Sequence, residues 1–150
     1  MKNAACIRID IRTGVLTEKN KMGVVRSGFG TCFIGHFIYI VGGSQNGLAL
    51  NTVEKYNIFT DKWQDLRPRL PDEFSIMITV VTVKKRLIYG FGGFSETRNL
   101  QNSHHERILR LDTQRPTKPW QSIIVANPCT ENAFNYGVIP LGFGDFGTVC

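Results

Sequence analysis

Features that mark membrane, secreted or metal-binding proteins are scarce in this sequence of 150 residues. No apolar run approaches the roughly 18 residues that cross a bilayer, so no membrane helix is expected. The cysteines number only 4, Cys6, Cys32, Cys129 and Cys150. None stands in CxxC spacing, and their apolar or turn-like neighbours mark them as reduced thiols rather than metal ligands. Charge breaks the N-terminal stretch at Lys2 and Arg8, which excludes a signal peptide and points to a reducing, cytoplasmic setting. Charge of one sign is not concentrated either. Lys and Arg outnumber Asp and Glu by 18 to 12, and the excess of +6 divides evenly, 10 against 7 in residues 1–75 and 8 against 5 in residues 76–150. The chain therefore has no basic arm, and Lys84-Lys85-Arg86, between two apolar runs, is a solvated turn. Neither nucleic acid nor membrane is expected as a partner.

Apolar and small residues are plentiful. With 42% hydrophobic residues, 11% aromatic and 15 glycines, the chain can bury a core and is not disordered. Its patterning is that of strands and turns, with no helical period. Phe37-Ile38-Tyr39-Ile40-Val41 ends at Gly42-Gly43, and Leu87-Ile88-Tyr89-Gly90-Phe91 ends at Gly92-Gly93, a displacement of 50 residues. Short β-branched and aromatic runs stopped by glycine are buried strands, and a recurrence near 50 is the mark of a stacked or radial repeat.

The flanking segments recur in the same order. Before the glycine pairs come strands over residues 28–34 and 76–83, with turns at Gly35-His36 and Lys84–Arg86. After the first pair come a polar loop, a strand over 52–57, a turn over 59–62 and a strand over 63–66. After the second come a longer loop, a strand over 107–112, a turn between Pro116 and Pro119 and a strand over 120–123. Each unit is thus four short antiparallel strands.

Gly42-Gly43, Tyr56 and Trp63 at these intervals resemble the kelch repeat. Gly92-Gly93 and Trp120 resemble it in the next unit, where Leu111 stands in place of Tyr and two extra residues precede Trp. The resemblance implies an all-β fold of four-stranded antiparallel kelch blades forming part of a β-propeller. Its glycine pairs allow positive φ where a strand leaves the blade. Its Tyr and Trp fill space between sheets and bring a polar atom to satisfy. Gly42, Gly43, Tyr56, Trp63, Gly92, Gly93 and Trp120 are accordingly read as structural.

The whole of residues 1–150 is read as one kelch-repeat region. Residues 6–21 resemble the second half of a blade, with Ile9 in the Tyr position and Leu16 in the Trp position; 26–66 and 75–124 are full blades; 133–150 begin a further one. In that last segment residues 134–142 align with Ser27–Gly35 at a displacement of 107, although Pro140 is a poor strand residue.

Catalytic motifs are missing: there is no P-loop, GxGxxG opening a helix, HExxH or GxSxG. Gly28-Phe29-Gly30 and Gly142-Phe143-Gly144 are strand and turn glycines. His36 lies in a turn and is expected to face solvent, and His104-His105 lie in a long loop without a further ligand set. No cofactor, metal or enzymatic activity is expected. The resemblance also includes copper-radical oxidases, but no Cys-His-Tyr set converges here.

Function is expected in the loops that leave the glycine pairs, which the resemblance places on one face. They cover residues 44–51 and 94–106. Arg98, Asn99, Gln101, His104 and His105 in the second suit an extended or acidic peptide. Arg67 and Arg69 belong to a different, inter-blade connection and form a second candidate. The chain is therefore expected to be a non-catalytic protein-interaction scaffold. The resemblance implies an adaptor, ubiquitin-ligase or cytoskeletal partner, although residues 1–5 leave no room for a BTB-like segment. The competing readings are a fragment of a propeller enzyme and an architectural subunit stable only in a larger assembly. Two whole repeats and two partial ones fall short of the typical minimum of about four blades. The sequence therefore predicts a truncated propeller, or one completed by another chain.

Overall fold

In the computed structural model, every regular element among the described residues is a β-strand. Those residues are 4–71, 76–93, 107–115, 117–124, 137–140 and 146–149. A first hairpin pairs β1 (Cys6–Ile9) with β2 (Leu16–Lys19). The first blade follows, built from β3 (Gly30–Ile34), β4 (Phe37–Val41), β7 (Val53–Asn57) and β8 (Lys62–Leu66). Between β4 and β7 the chain makes a miniature hairpin, β5 (Ser44–Gln45) with β6 (Leu48–Ala49). The second blade comprises β9 (Thr79–Val83), β10 (Leu87–Phe91), β11 (Arg107–Asp112) and β12 (Gln121–Ile124). A last hairpin pairs β13 (Gly137–Pro140) with β14 (Phe146–Val149). The all-β, four-stranded antiparallel blades expected from the sequence are present.

Alternation along the strands gives each blade two faces. Ile34, Tyr39, Val41, Val53 and Leu66 of the first blade, with Leu70 beyond it, meet Ile78, Val80, Ile88, Leu109, Leu111 and Trp120 of the second. Ile88 and Leu109 are fully buried there. Cys32 packs at the edge of this layer, and burial pushes its thiol up to about 12, so it stays protonated and unreactive.

The innermost strands fix the order of the array. β9 lies against β3 on one side and against β13 on the other. Met77 N donates to Gly28 O at 2.7 Å and Thr82 Oγ1 to Phe33 O at 3.4 Å, so β3 and β9 run side by side in the same direction. At the other end of the array β1–β2 lies beside the first blade. Trp63 Nε1 donates to Asn20 O at 2.7 Å, while Asn20 N and Nδ2 donate to Asp61 Oδ1 and O at 2.9 and 2.6 Å. Tyr56 Oη completes this network by donating to Asp61 Oδ1 at 2.8 Å.

Two details differ from the sequence reading. Trp63 is only half-buried, because its cover is the narrow β1–β2 hairpin, whereas Trp120 is 7% exposed in the inter-blade core. His36 is half-buried as well, stacked on Phe59 at 5.4 Å and tilted against Phe37 at 4.1 Å.

These environments predict unequal costs. Trp120→Ala should lower unfolding free energy by about 3–5 kcal/mol and Trp63→Ala by less than about 3 kcal/mol. Urea denaturation of both variants checks the order, and a larger loss at Trp63 would contradict it.

Candidate interaction surface

Strand register sorts the loops into two ends. Val41 faces Gly30 and Val53, and Val53 faces Leu66. The start of β3, the Gly42-Gly43 corner, the start of β7 and the exit from β8 therefore lie at one end of the first blade. Because β3 and β9 run in the same direction, Gly92-Gly93 and the start of β11 lie at that same end. The tight turns at His36, Phe59–Asp61 and Lys84–Arg86 lie at the opposite one.

The corner itself is fixed by a buried ion pair. Arg26 Nη2 donates to Glu54 Oε2 at 2.6 Å, with side-chain exposures of 0% and 5%. Arg26 Nη1 donates to the carbonyls of Gly42 at 2.8 Å and Thr52 at 3.2 Å, and Gly23 N donates to Glu54 Oε1 at 3.0 Å. Burial lowers the Arg26 pKa and the adjacent Glu54 opposes that shift; a guanidinium keeps its proton regardless. Gly43, at φ 96°, approaches so closely that a Cβ would stand 2.7 Å from Ser27 O. Ser27 and Ser44 exchange backbone hydrogen bonds at 3.0 and 2.8 Å. The entry segment, the glycine corner and the start of β7 thus form one rigid base.

From this base rises the β5–β6 hairpin. Asn46 and Gly47 turn it with φ of 52° and 84°, the conformation that a two-residue Asn-Gly hairpin requires. Leu48 beside the turn is 71% exposed. The exit from β8 packs on the same base, since Leu70 N donates to Asn51 O at 2.9 Å. Arg69 is committed there to Asp65, at 2.6 and 2.7 Å, and to Leu66 O at 3.0 Å. Arg67 is exposed. The sequence assigned Arg67 and Arg69 to a separate connection; the fold brings that connection to the foot of the first loop.

Gly42, Gly43, Gly92 and Gly93 all have positive φ, and Tyr56 and Trp63 face one another across β7 and β8 with ring centroids 4.8 Å apart. Arg98, Asn99, Gln101, His104 and His105 lie outside the described residues, as do Cys129 and Cys150. Among the described residues no group of three or more His, Cys, Asp or Glu is placed to hold a metal. The gap between the blades, lined by Tyr39, Lys55, Leu66, Pro68, Leu111, Asp112 and Thr113, has a volume of about 70 Å³, well below the roughly 300 Å³ of ligand pockets. At the turn end an open groove of about 320 Å³ runs past Phe37, Lys55, Asn57, Thr60, Lys62, Trp63 and Gln64.

Sequence reasoning missed two anchors. Arg26 and Glu54 are 28 residues apart, so no local pattern links them. The available signal was an acidic residue two positions before Tyr56, and so on its buried face. Asn46-Gly47 is itself the signal of a two-residue hairpin turn, which a plain loop over residues 44–51 omits.

Two outcomes follow. Arg26→Ala leaves a buried carboxylate unpaired and should cost about 3–5 kcal/mol, whereas joint replacement of Arg26 and Glu54 by Met should recover part of it; chemical denaturation measures both, and a neutral Arg26→Ala would contradict the role. Asp61 is held below the usual carboxylate range first by the Asn20 N–H and then by the Tyr56 hydroxyl. A carboxylate whose pKa is lower folded than unfolded stabilises above its unfolded value and loses that contribution as pH falls through its folded value. Acidification below about pH 4 should therefore loosen the β1–β2 hairpin, seen as faster amide exchange at Asn20. Asp61→Asn should remove the pH dependence, and equal dependence in both proteins would contradict the assignment.

The Kelch motif family matches residues 26–69, a stretch that begins at the buried Arg26. Kelch-like protein 15 of Homo sapiens is 27% identical over 122 residues, which cover 77% of this chain and 20% of that protein. The chain spans about a fifth of the length of the curated relative it matches. The glycine corners, the Tyr–Trp pairing and the four-stranded blades agree with this match, so residues 26–69 carry a Kelch motif and the chain is similar to the kelch repeat family.

Proposed function

We propose that the chain is a non-catalytic scaffold in the cytoplasm that binds another protein through the loops at the glycine-corner end of its blades. The observation that carries this reading is the rigid base made by Arg26, Glu54 and Gly43. It holds the β5–β6 hairpin and the Arg67 connection at the end where β10 finishes and β11 begins. Loops held on a rigid scaffold are where binding residues concentrate. Leu48 supplies exposed apolar surface and Arg67 an exposed cation. Arg98, Asn99, Gln101, His104 and His105, in the segment joining β10 to β11, supply further hydrogen-bonding and cationic groups. Together they suit an extended peptide with acidic side chains.

Replacing Arg98, Gln101 and His105 together by Ala should abolish capture of partners by the tagged chain while leaving its circular dichroism and denaturation midpoint unchanged. Leu48→Asp should weaken capture through the adjoining loop. An unchanged set of captured proteins in both variants would refute this surface.

A further inference from the structure

The outer strands of the first blade sort their charges by face. On the face that Val53 and Leu66 turn to the second blade stand Lys55 and Asn57 of β7 and Lys62 and Gln64 of β8. Lys55 faces Gln64 and Asn57 faces Lys62, so the four form a square with lysines on one diagonal and amides on the other. Residues on such a diagonal lie about 7–8 Å apart, within reach of long side chains. The carboxylates lie elsewhere. Glu54 and Asp65 share the opposite face, where Arg26 and Arg69 pair with them, and Asp61 accepts from Asn20 N and Tyr56 Oη. Among the described residues no carboxylate forms an ion pair with Lys55 or Lys62.

The second blade repeats this position and closes it. Arg110 stands between Tyr89 and Gln121 as Lys55 stands between Tyr39 and Gln64, and Arg110 Nε donates to Gln121 Oε1 at 3.1 Å. Lys55 instead lies over Phe37, its Nζ 4.7 Å from the ring centre; Leu87 takes the place of Phe37 in the second blade. An aromatic face positions an ammonium group without using up its hydrogen-bond donors. Asn57 Oδ1 accepts from Phe59 N and Thr60 N at 2.9 and 3.2 Å, which leaves its Nδ2 as a further donor.

These side chains line the open groove of about 320 Å³ at the turn end, a volume at the lower end of the range for ligand sites. Its rim is aromatic. Phe59 is 80% exposed and stacks on His36, which is tilted against Phe37. Cations and amide donors without an acid among them, beside an uncovered ring, complement an anion carried next to an apolar group. Among the described residues no guanidinium lines the groove, so the planar fork that grips phosphate is lacking and the lysines act as point charges. We propose that the groove binds an acidic segment of a partner protein, with a carboxylate between Lys55 and Lys62 and a neighbouring apolar side chain on Phe59. The site lies at the end of the blades opposite the glycine corners and does not rest on the loops proposed above.

Nuclear magnetic resonance titration of the 150-residue chain with acetylated, amidated Glu-Glu-Leu-Glu-Glu tests it. The backbone amides of residues 55–64 and the side-chain amides of Asn57 and Gln64 should shift, and the same peptide with glutamine in place of glutamate should leave them unmoved. Joint Lys55→Gln and Lys62→Gln should weaken binding by about tenfold, the scale of one lost hydrogen bond between charged groups. Added salt should weaken it too, whereas Arg67→Gln should leave it unchanged. Shifts confined to Leu48 and Arg67 would favour the glycine-corner surface and overturn this one. Equal shifts with the glutamine peptide or with inorganic phosphate at the same concentration, or no shift at all, would overturn it as well. Should the double variant fail to fold, Lys62→Glu at its exposed position and the peptide pair on the unaltered chain decide.

Discussion

A four-stranded kelch blade is apolar on both faces and cannot bury either alone. That constraint organises everything else here. Tyr39, Val41 and Val53 on one blade are buried only because Ile88, Leu109 and Leu111 on the next cover them. The Tyr–Trp pair works on the opposite face, where Trp63 reaches Asn20 of the preceding hairpin and Tyr56 reaches Asp61. Each repeat is therefore stable as a member of a series, with nearest-neighbour contacts supplying most of the burial.

The loops depend on the same stacking. Arg26 lies in the segment that carries the chain from β2 to β3, and its guanidinium holds the carbonyls at both ends of the β5–β6 excursion, Gly42 and Thr52. Glu54 neutralises it and also accepts from Gly23. The second blade solves the equivalent position differently, since Leu109 faces Gly90 in β11 as Glu54 faces Ile40 in β7, and Leu109 is fully buried. A buried ion pair costs desolvation that a leucine does not, so its presence in the first blade goes with a corner that must hold a protruding hairpin in one place.

Much of the architecture was legible in the chain itself. The 50-residue recurrence of apolar runs ending in Gly-Gly gave two blades, and strand alternation gave their faces. What stayed hidden was what depends on contacts between distant segments. Trp63 looks like a core residue by type, but its exposure depends on how much of a neighbour covers it, and a two-stranded hairpin covers less than a full blade. His36 looks like a solvent-facing turn residue and is instead stacked on Phe59, a contact set by register across the turn end. Arg26 and Glu54 carry charges that sequence rules place at the surface, and only the folded corner brings them together. Arg67 and Arg69 looked remote from the first loop because the strand order that returns them to it is not written in local spacing.

Stacking of one blade on the next is what buries both, so damage to the second blade must reach the first. Amide hydrogen exchange of a Leu109→Asp variant measures this directly: the amides of β4 and β7 in the first blade should lose protection along with those of β10. Protection of β4 and β7 that stays at its original level would contradict the stacking.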